Sequence, residues 1–203
     1  PDGSGMNGQF VTERRVEVKD SKSKKRVKVV ALGYEFLKKL ELRSNNIQTI
    51  GAASLSDFLV RPQAKELTSL VLFNCSIEVA GAAALGRALR FGQNKTLTKL
   101  AIDCDPTLGD AGVAHICRGL ETNSSLTDLS LCCCGFQVEG AKCVASLLTS
   151  ARSQIQLIAL RGNIIGGAGL EALSAAMARR DKNGKGTSKI SYLNIANIGV
   201  DGS

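Results

Sequence analysis

The stretch that decides the fold is LTSLVLFNCSIEVAG, residues 67–81. Its opening pattern, Leu-x-x-Leu-x-Leu, returns five more times along the chain, with Ile in place of Leu at some positions. Self-similarity with a period of about thirty residues is typical of solenoids, in which similar units stack on one another. The copies begin at Leu37, Leu67, Leu97, Leu126, Ile155 and Ile190.

The first five copies continue with the same downstream features. A small polar residue stands three positions after the last strand aliphatic, an aliphatic or aromatic residue comes next, and a glycine follows four positions later. Apolar residues then recur at i, i+3, i+4 and i+7, as in residues 81–89, which predicts an amphipathic helix. The polar residues are Asn45, Cys75, Asp105, Cys134 and Asn163, and the glycines are Gly51, Gly81, Gly112, Gly140 and Gly169.

These features together predict how the chain folds. The Leu-x-Leu core predicts a short strand whose two aliphatics point inward while the residues between and beside them point outward. Successive strands stack in parallel, and each returns through its helix on the outer side. We expect the polar residue to bond to the next turn in a ladder and the glycine to permit a chain reversal or a close approach. The sequence therefore predicts the α/β class: a right-handed α/β solenoid of about five to six repeats, with a concave parallel sheet and convex helices.

The full pattern is Leu-x-x-Leu-x-Leu-x-x-Asn/Cys-x-Ile/Leu-x-x-x-Gly, and it resembles the ribonuclease-inhibitor class of leucine-rich repeats over residues 37–202. That class includes ribonuclease inhibitors, the sensor arms of NOD-like receptors, Ran GTPase-activating proteins and the tropomodulin tail. The resemblance implies the fold and does not specify the partner. Two copies depart from the pattern. The third is one residue longer and has Asp105 where Asn or Cys is usual, so we expect local distortion; the sixth is two residues short.

The chain divides into residues 1–36 and a repeat domain at 37–203. Residues 1–5 are interpreted as an expression-tag remnant. Two alternating segments, 14–19 and 26–30, flank a charged turn and predict a basic β-hairpin that caps the first repeat; a basic docking arm is the alternative. The insert at 180–188 is interpreted as a surface loop. The abrupt stop indicates a fragment of a longer protein or a tail that lies against a partner.

The formal net charge of +8 is concentrated near the two ends of the chain. Residues 1–43 hold eleven Lys/Arg and six Asp/Glu, residues 179–189 hold five Lys/Arg and one Asp, and the rest is close to neutral. Nucleic-acid surfaces favour a basic stripe with aromatic side chains for stacking. Here aromatic residues make up only 4% of the chain, so nucleic-acid binding is disfavoured. A membrane span is not predicted, because no run of eighteen apolar residues occurs.

The cysteines and the histidine do not form a recognisable catalytic or metal site. Seven Cys is an odd count, and Cys132, Cys133 and Cys134 are adjacent, which favours reduced thiols in a cytoplasmic compartment. Zinc ligands favour paired spacings with a well-placed His, so no metal is predicted; an oxidation-sensitive thiol pair at Cys132 and Cys133 is the alternative reading. The sole His, His115, lies between apolar neighbours in a predicted helix. No catalytic triad, P-loop or dinucleotide fingerprint is present, so we predict no enzyme activity, no cofactor and no small-molecule substrate.

The positions flanking each inward aliphatic form columns on the concave sheet, where side-chain chemistry is free to vary. The side chains that select a partner are therefore expected in these columns. Aromatic and Arg side chains often anchor protein interfaces. The predicted partner-binding residues are Lys39, Glu41, Arg43, Val71, Phe73, Lys99, Asp103, Asp128, Leu157, Arg161 and Tyr192.

The sequence thus predicts a non-enzymatic protein–protein interaction module: a scaffold, a sensor arm, or a cytoskeletal or ciliary structural component in the cytoplasm. One alternative is a regulator of a small GTPase resembling Ran GTPase-activating proteins, a resemblance that implies more repeats and an acidic tail. Another is a basic-arm binder of nucleic acid or anionic surfaces. A ribonuclease-inhibiting role predicts acidic concave residues, whereas Lys39, Arg43, Lys99 and Arg161 are basic. Binding through loop edges or convex helices stays open, and the sequence specifies neither the partner nor an oligomeric state.

Overall fold

A computed structural model describes residues 13–19, 26–32, 37–90, 93–179, 189–197 and 199, the first two ranges by backbone alone. Strands and helices alternate through the repeat domain. The strands are β1 (Glu13–Lys19), β2 (Arg26–Leu32), β3 (Lys39–Arg43), β4 (Ser69–Phe73), β5 (Lys99–Asp103), β6 (Asp128–Ser130), β7 (Leu157–Ala159) and β8 (Tyr192–Asn194). The helices are α1 (Gln48–Leu59), α2 (Val79–Leu89), α3 (Gly109–Leu120), α4 (Val138–Thr149) and α5 (Gly166–Ala178), and a 3-10 turn covers Pro62–Ala64.

The six strands β3 to β8 form one sheet in chain order, and each pairs in parallel with the next. The equivalent aliphatics of all six copies are aligned as partners across the sheet. This register confirms the prediction of an α/β solenoid. The aligned residues are Leu40, Leu70, Leu100, Leu129, Ile158 and Leu193.

The hydrophobic core lies between the sheet and the helices. The first aliphatic residue of each inner copy is buried, and the two inward strand aliphatics Leu70 and Leu72 are fully buried. Each repeat adds helix residues such as Leu85 and Leu89 to the same continuous cluster. Since burying one Leu contributes about 1.5–3 kcal/mol, the stacked layers supply the stability that a single repeat lacks.

The predicted polar ladder is present at the strand-to-helix loops. The Cys75 thiol donates to the Leu42 carbonyl at 3.0 Å, and the Cys134 thiol donates to the Ile102 carbonyl at 2.8 Å. The Asn163 amide donates to the Leu131 carbonyl at 2.8 Å and accepts from the Cys134 N–H at 2.8 Å. Within the described part of the chain, each of these side chains bonds to the preceding repeat and not to the following one, and the ladder satisfies buried backbone groups where the strands end.

The third repeat departs from this ladder where the sequence predicted a distortion. Asp105 is only 1% exposed, and its carboxylate accepts from the Ile77 N–H at 2.6 Å and from the Thr107 hydroxyl at 2.9 Å. The extra residue lies in a turn that is closed by a hydrogen bond of 3.0 Å, which the Leu108 N–H donates to the Asp105 carbonyl. Because β5 keeps its register with both neighbours, the distortion is confined to the loop.

A second ladder lies at the opposite edge, where each helix leads back to a strand. The Asn94 amide donates to the Leu59 carbonyl at 2.9 Å and accepts from the Leu97 N–H at 2.9 Å. One repeat later, Asn123 makes the same two bonds, donating to the Leu89 carbonyl at 2.7 Å and accepting from the Leu126 N–H at 2.8 Å. Both asparagines are buried, and they tie the end of one helix to the helix-to-strand loop of the following repeat.

Two further glycines let neighbouring helices approach closely. A Cβ at Gly119 would lie 2.1 Å from the Gly86 carbonyl oxygen, and a Cβ at Gly86 would lie 2.3 Å from the His115 carbonyl oxygen. Helices α2 and α3 are therefore packed backbone to backbone. The glycines that recur in each repeat also allow the close approach that the sequence predicted. At Gly81, for example, a Cβ would lie 2.8 Å from the Ala52 Cβ of the preceding repeat.

The N-terminal strands pair antiparallel, from Glu13 opposite Leu32 to Lys19 opposite Arg26. That they cap the first repeat stays a prediction. The interpretations of residues 1–5 and of the insert at 180–188 concern parts of the chain outside the described residues. Within the described ranges, none of the helices has the length and apolar character needed to span a bilayer.

Candidate protein-binding surface

The face of the sheet turned away from the helices, here called the open sheet face, is the predicted concave surface. Its side chains fall into three columns because the strands are in register. The first column is Lys39, Ser69, Lys99, Asp128, Leu157 and Tyr192; the second is Glu41, Val71, Ala101, Ser130, Ala159 and Asn194; the third continues past the strand ends as Arg43, Phe73, Asp103, Cys132, Arg161 and Ala196.

The middle column forms a floor of mostly small side chains. Val71 is 6% exposed and Ala101 is 4% exposed, while Ser130 and Ala159 are half-buried. Val71 was predicted as a contact residue, and in the structure it offers almost no accessible surface. The first and third columns, which border this floor, therefore carry most of the area that a partner could reach.

Paired charges occupy the end of the open sheet face at β3. The Lys39 ammonium lies 2.7 Å from the Glu41 carboxylate, and the Arg43 guanidinium lies 3.4 Å from it. The hydrogen bond from Lys39, followed by that from Arg43, lowers the pKa of Glu41. The Arg43 guanidinium also lies 5.6 Å from the centroid of the Phe73 ring, a cation–π contact. These contacts hold Arg43 and Phe73 together as one amphipathic patch.

Asp103, in the centre of the third column, is engaged within the chain. Its Oδ1 atom accepts from the Ser130 hydroxyl at 2.6 Å and from the Cys132 N–H at 2.8 Å. These bonds fasten the end of β5 to the last residue of β6 and to Cys132 just beyond it. Asp103 was predicted as a partner contact, and the structure gives it a role in holding two repeats together. Asp128, in the first column, lies opposite Lys99 on the neighbouring strand.

An exposed apolar pair occupies the other end of the open sheet face. Leu157 is 40% exposed and Tyr192 is 53% exposed, and they are direct partners on β7 and β8. Arg161 is exposed in the third column on the same side. Adjacent large apolar side chains left open to solvent are a feature of interaction surfaces. The structure thus brings Leu157 and Tyr192 together and separates them from the patch of Arg43 and Phe73 by the width of the intervening strands.

The family model described as Leucine Rich repeat matches residues 35–56 and 122–145. The ribonuclease inhibitor of Mus musculus is 31% identical over 146 residues, which cover 71% of this chain and 31% of that protein. The ribonuclease inhibitor of Sus scrofa is 31% identical over 144 residues, which cover 70% of this chain and 30% of that protein. The chain belongs to the leucine-rich repeat family of the ribonuclease-inhibitor type.

This leucine-rich repeat chain spans about a third of the length of those two ribonuclease inhibitors. The NACHT, LRR and PYD domains-containing protein 14 of Mus musculus is 29% identical over 136 residues, which cover 66% of this chain and 13% of that protein. Among solved structures, the chain resembles leiomodin-1 actin-binding site 2, with a TM-score of 0.49, 20% identity, and coverage of 69% of this chain and 80% of that one.

The cysteines of this leucine-rich repeat domain divide into structural and accessible thiols. Cys75, Cys117 and Cys134 are buried, and all seven cysteines are free. Burial raises the pKa of Cys75 to about 11 and raises the pKa of both Cys117 and Cys134 further still. Cys134 is a ladder residue, as predicted. The half-buried thiols are Cys104, Cys132, Cys133 and Cys143.

His115 lies within α3 and is half-buried. Among the residues that the structure describes, no group of three or more His, Cys, Asp and Glu side chains is arranged to hold a metal ion.

The helix side of the leucine-rich repeat domain carries a groove that the sequence did not predict. It has a volume of about 810 Å³ and lies between the ends of α1 and α2. Its lining includes Ala53, Val60, Ala88, Arg87 and Arg90. A sequence signal existed, since Arg87 and Arg90 close a helix one turn apart, but Lys and Arg near helix C-termini are common for electrostatic reasons alone.

Proposed function

We propose that this leucine-rich repeat chain is a non-enzymatic interaction module whose open sheet face binds a protein partner. The observation that carries the proposal is the pair of Leu157 and Tyr192, two large exposed side chains that are direct partners on adjacent strands. Contacts between large apolar side chains and a partner remove apolar area from water, which is the main driving force of association. The pair therefore acts as the apolar anchor of the interface.

The end of the open sheet face at β3 supplies the second contact region. Arg43 is held by Glu41 and lies over Phe73, so its guanidinium is positioned before a partner arrives. A fixed side chain loses less conformational entropy on binding than a mobile one. We infer that Arg43 and Phe73 orient the partner, while the floor of small side chains between the two regions lets the partner approach the sheet.

The charge of the surface favours a partner other than a ribonuclease. The ribonuclease inhibitors that the chain resembles are named for the enzyme they inhibit. Ribonucleases that bind RNA need a basic surface, and a complementary inhibitor face is acidic. The open sheet face instead exposes four basic side chains, Lys39, Lys99, Arg43 and Arg161, and one acidic side chain, Glu41, while Asp103 and Asp128 are half-buried. We propose a partner with acidic and apolar side chains and, because all seven cysteines are free thiols, a reducing compartment such as the cytoplasm.

The test is affinity capture with the immobilised chain, followed by quantitative mass spectrometry. Two sheet variants are compared with the unmodified protein: Arg43→Ala with Phe73→Ala, and Leu157→Ala with Tyr192→Ala. The matched control replaces exposed apolar residues on the helices, Ile50→Ala with Val79→Ala. Thermal melts verify that all variants are folded.

We expect the same proteins to be lost from both sheet variants and retained by the helix control. The proposal fails when the sheet variants keep every specifically captured protein. Loss from the helix control alone would place the interface on the convex side instead.

A further inference from the structure

Two cysteines in neighbouring repeats occupy the same structural position. Cys104 follows Asp103, Cys133 follows Cys132, and both adopt the left-handed backbone conformation, with φ of 56° and 54°. The Cys104 N–H donates to the Cys132 carbonyl at 2.8 Å. The sequence showed Cys132, Cys133 and Cys134 as one adjacent run; only the stacking of repeats shows that Cys133 has Cys104 as its neighbour.

The spacing of the two backbones suits a disulfide. Neighbouring strands lie about 4.8 Å apart, and disulfides join Cα atoms that are about 4.4–6.8 Å apart. Strands β5 and β6 are in register up to Ala101 and Ser130, and the bond from Cys104 to the Cys132 carbonyl continues this alignment into the turn. Partial burial and the nearby Cys133 thiol both raise the pKa of Cys104.

The Cys133 sulfur lies close to the next repeat at a position that has no side chain. The equivalent position of the next repeat is Gly162, with φ of 74°, and a Cβ there would lie 2.6 Å from the Cys133 sulfur. Because residue 162 is a glycine, no Cβ from the next repeat displaces this sulfur. Both Cys104 and Cys133 are half-buried, so a small reagent can reach them in the folded protein.

We propose that Cys104 and Cys133 form a dithiol modification site, which a low-molecular-weight disulfide of the glutathione class oxidises to a disulfide between repeats. Cys133 loses its proton, and its thiolate attacks one sulfur of the reagent. The reagent's S–S bond breaks, and the first thiol leaves with that proton. Cys104 then loses its proton and attacks the Cys133 sulfur, releasing the second thiol. Two protein thiols are oxidised and the reagent is reduced to two thiols.

The buried thiols and Cys132 are excluded from this exchange for structural reasons. Cys75, Cys117 and Cys134 are buried, and Cys75 and Cys134 donate to backbone carbonyls. A bridge between Cys132 and Cys133 would have to close across the single planar peptide that joins them. The Cys132 sulfur instead lies 3.5 Å from the Ser130 hydroxyl on the open sheet face. The site is independent of whether that face binds a protein.

The test treats the reduced full chain with oxidised glutathione, blocks the remaining thiols by alkylation, and maps bridges by non-reducing tryptic digestion and mass spectrometry. Cleavage after Lys99, Arg118 and Lys142 places Cys104 and Cys133 in different peptides. We expect a disulfide that joins the peptide of residues 100–118 to the peptide of residues 119–142. The oxidised chain is expected to keep the thermal unfolding transition of the reduced chain.

Single variants identify the sulfurs. Cys133→Ser is expected to abolish the bridge, and Cys104→Ser is expected to stop at a glutathione adduct on Cys133. Cys132→Ser is the matched control, since it is adjacent and half-buried, and it is expected to form the bridge as the unmodified chain does. A bridge that persists in Cys104→Ser or Cys133→Ser, or that vanishes in Cys132→Ser, overturns the assignment, as does a chain that forms no bridge.

A second reagent tests proximity without oxidation. Phenylarsine oxide binds two neighbouring thiols through one arsenic atom, so we expect one equivalent to bind tightly to the folded, reduced chain. Binding should be lost in Cys104→Ser and in Cys133→Ser and kept in Cys132→Ser. Equal binding by all four proteins would show that the two sulfurs do not meet.

Discussion

The two halves of the open sheet face are built on one core and differ in their surfaces. Strands β3 to β5 have five residues each, and they carry the paired charges around Glu41 and the contact between Arg43 and Phe73. Strands β6 to β8 have three residues each and end in the exposed pair of Leu157 and Tyr192. The inward aliphatics of the inner strands β4 to β7 are buried in both halves, and those of the end strands β3 and β8 pack against the same core. The repeat pattern therefore fixes the core and leaves the surface free to change from one end to the other.

The largest expected effect is on the core shared by the two halves. Phe136 is the bulkiest of the fully buried side chains and lies in the fourth repeat, where the halves meet. Phe136→Ala should lower the free energy of unfolding by about 3–5 kcal/mol through lost burial and a cavity. Urea unfolding, followed by circular dichroism, measures this loss in the free energy of unfolding. A loss below about 1 kcal/mol, the size of an ordinary surface effect, would mean that the halves do not share one core.

The packing of helices offers a contrast between an early and a late repeat. Gly119→Ala places a methyl group against the Gly86 carbonyl in the contact of α2 and α3, and overpacking costs about 1–3 kcal/mol. The matched control is Gly167→Ala in α5, where a Cβ would meet nothing within 4 Å. There the substitution should raise the free energy of unfolding by about 0.4–1 kcal/mol, because alanine restricts the backbone of the unfolded chain more than glycine does. Thermal melts of both variants test the difference, and equal shifts would contradict it.

The buried ladder thiols predict a loss of stability in alkali. The pKa of Cys75 is about 11 in the folded chain, against an ordinary value of 9.0. Folding therefore favours the protonated thiol, and this contribution is complete below pH 9 and is lost as the pH rises from 9 to 11. The midpoint of unfolding should fall less steeply with pH between 9 and 11 in Cys75→Ala than in the unmodified chain. Parallel slopes would show that Cys75 ionises as readily when folded.

The smallest expected effect is on the stability of the surface itself. Leu157→Ala with Tyr192→Ala removes exposed side chains, so the free energy of unfolding should change by no more than about 0.5 kcal/mol per substitution. The same thermal melts measure it. A loss of several kcal/mol would show that the pair stabilises the last repeats, and the contrast between the halves would then concern packing rather than recognition.

Much of the fold was predictable because the repeat encodes it locally. The spacing of leucines gave the strand register, and the recurring polar position predicted the ladder through Cys75, Cys134 and Asn163. The exposure of individual surface residues was not predictable in this way. Val71 is covered and Asp103 is bonded to the next repeat, because both outcomes depend on which side chains stand beside them in neighbouring copies.

The second ladder was missed although the sequence contained it. Asn94 and Asn123 each stand three residues before the first leucine of a copy, and they are 29 residues apart. Only two copies carry this Asn, so the repeat pattern did not reveal it. The thiol pair of Cys104 and Cys133 was hidden for a different reason: its members are 29 residues apart in sequence and become neighbours only when the repeats stack.

The buried asparagines have a consequence for where the chain can fold. Asn94 precedes Lys95 and Thr96, and Asn123 precedes Ser124 and Ser125, which are acceptor triplets for N-linked sugar. An oligosaccharide on either amide nitrogen would occupy the atom that reaches the preceding helix and could not fit in the core. A chain that passed through a glycosylating compartment would reach this structure only when both asparagines escaped the transferase.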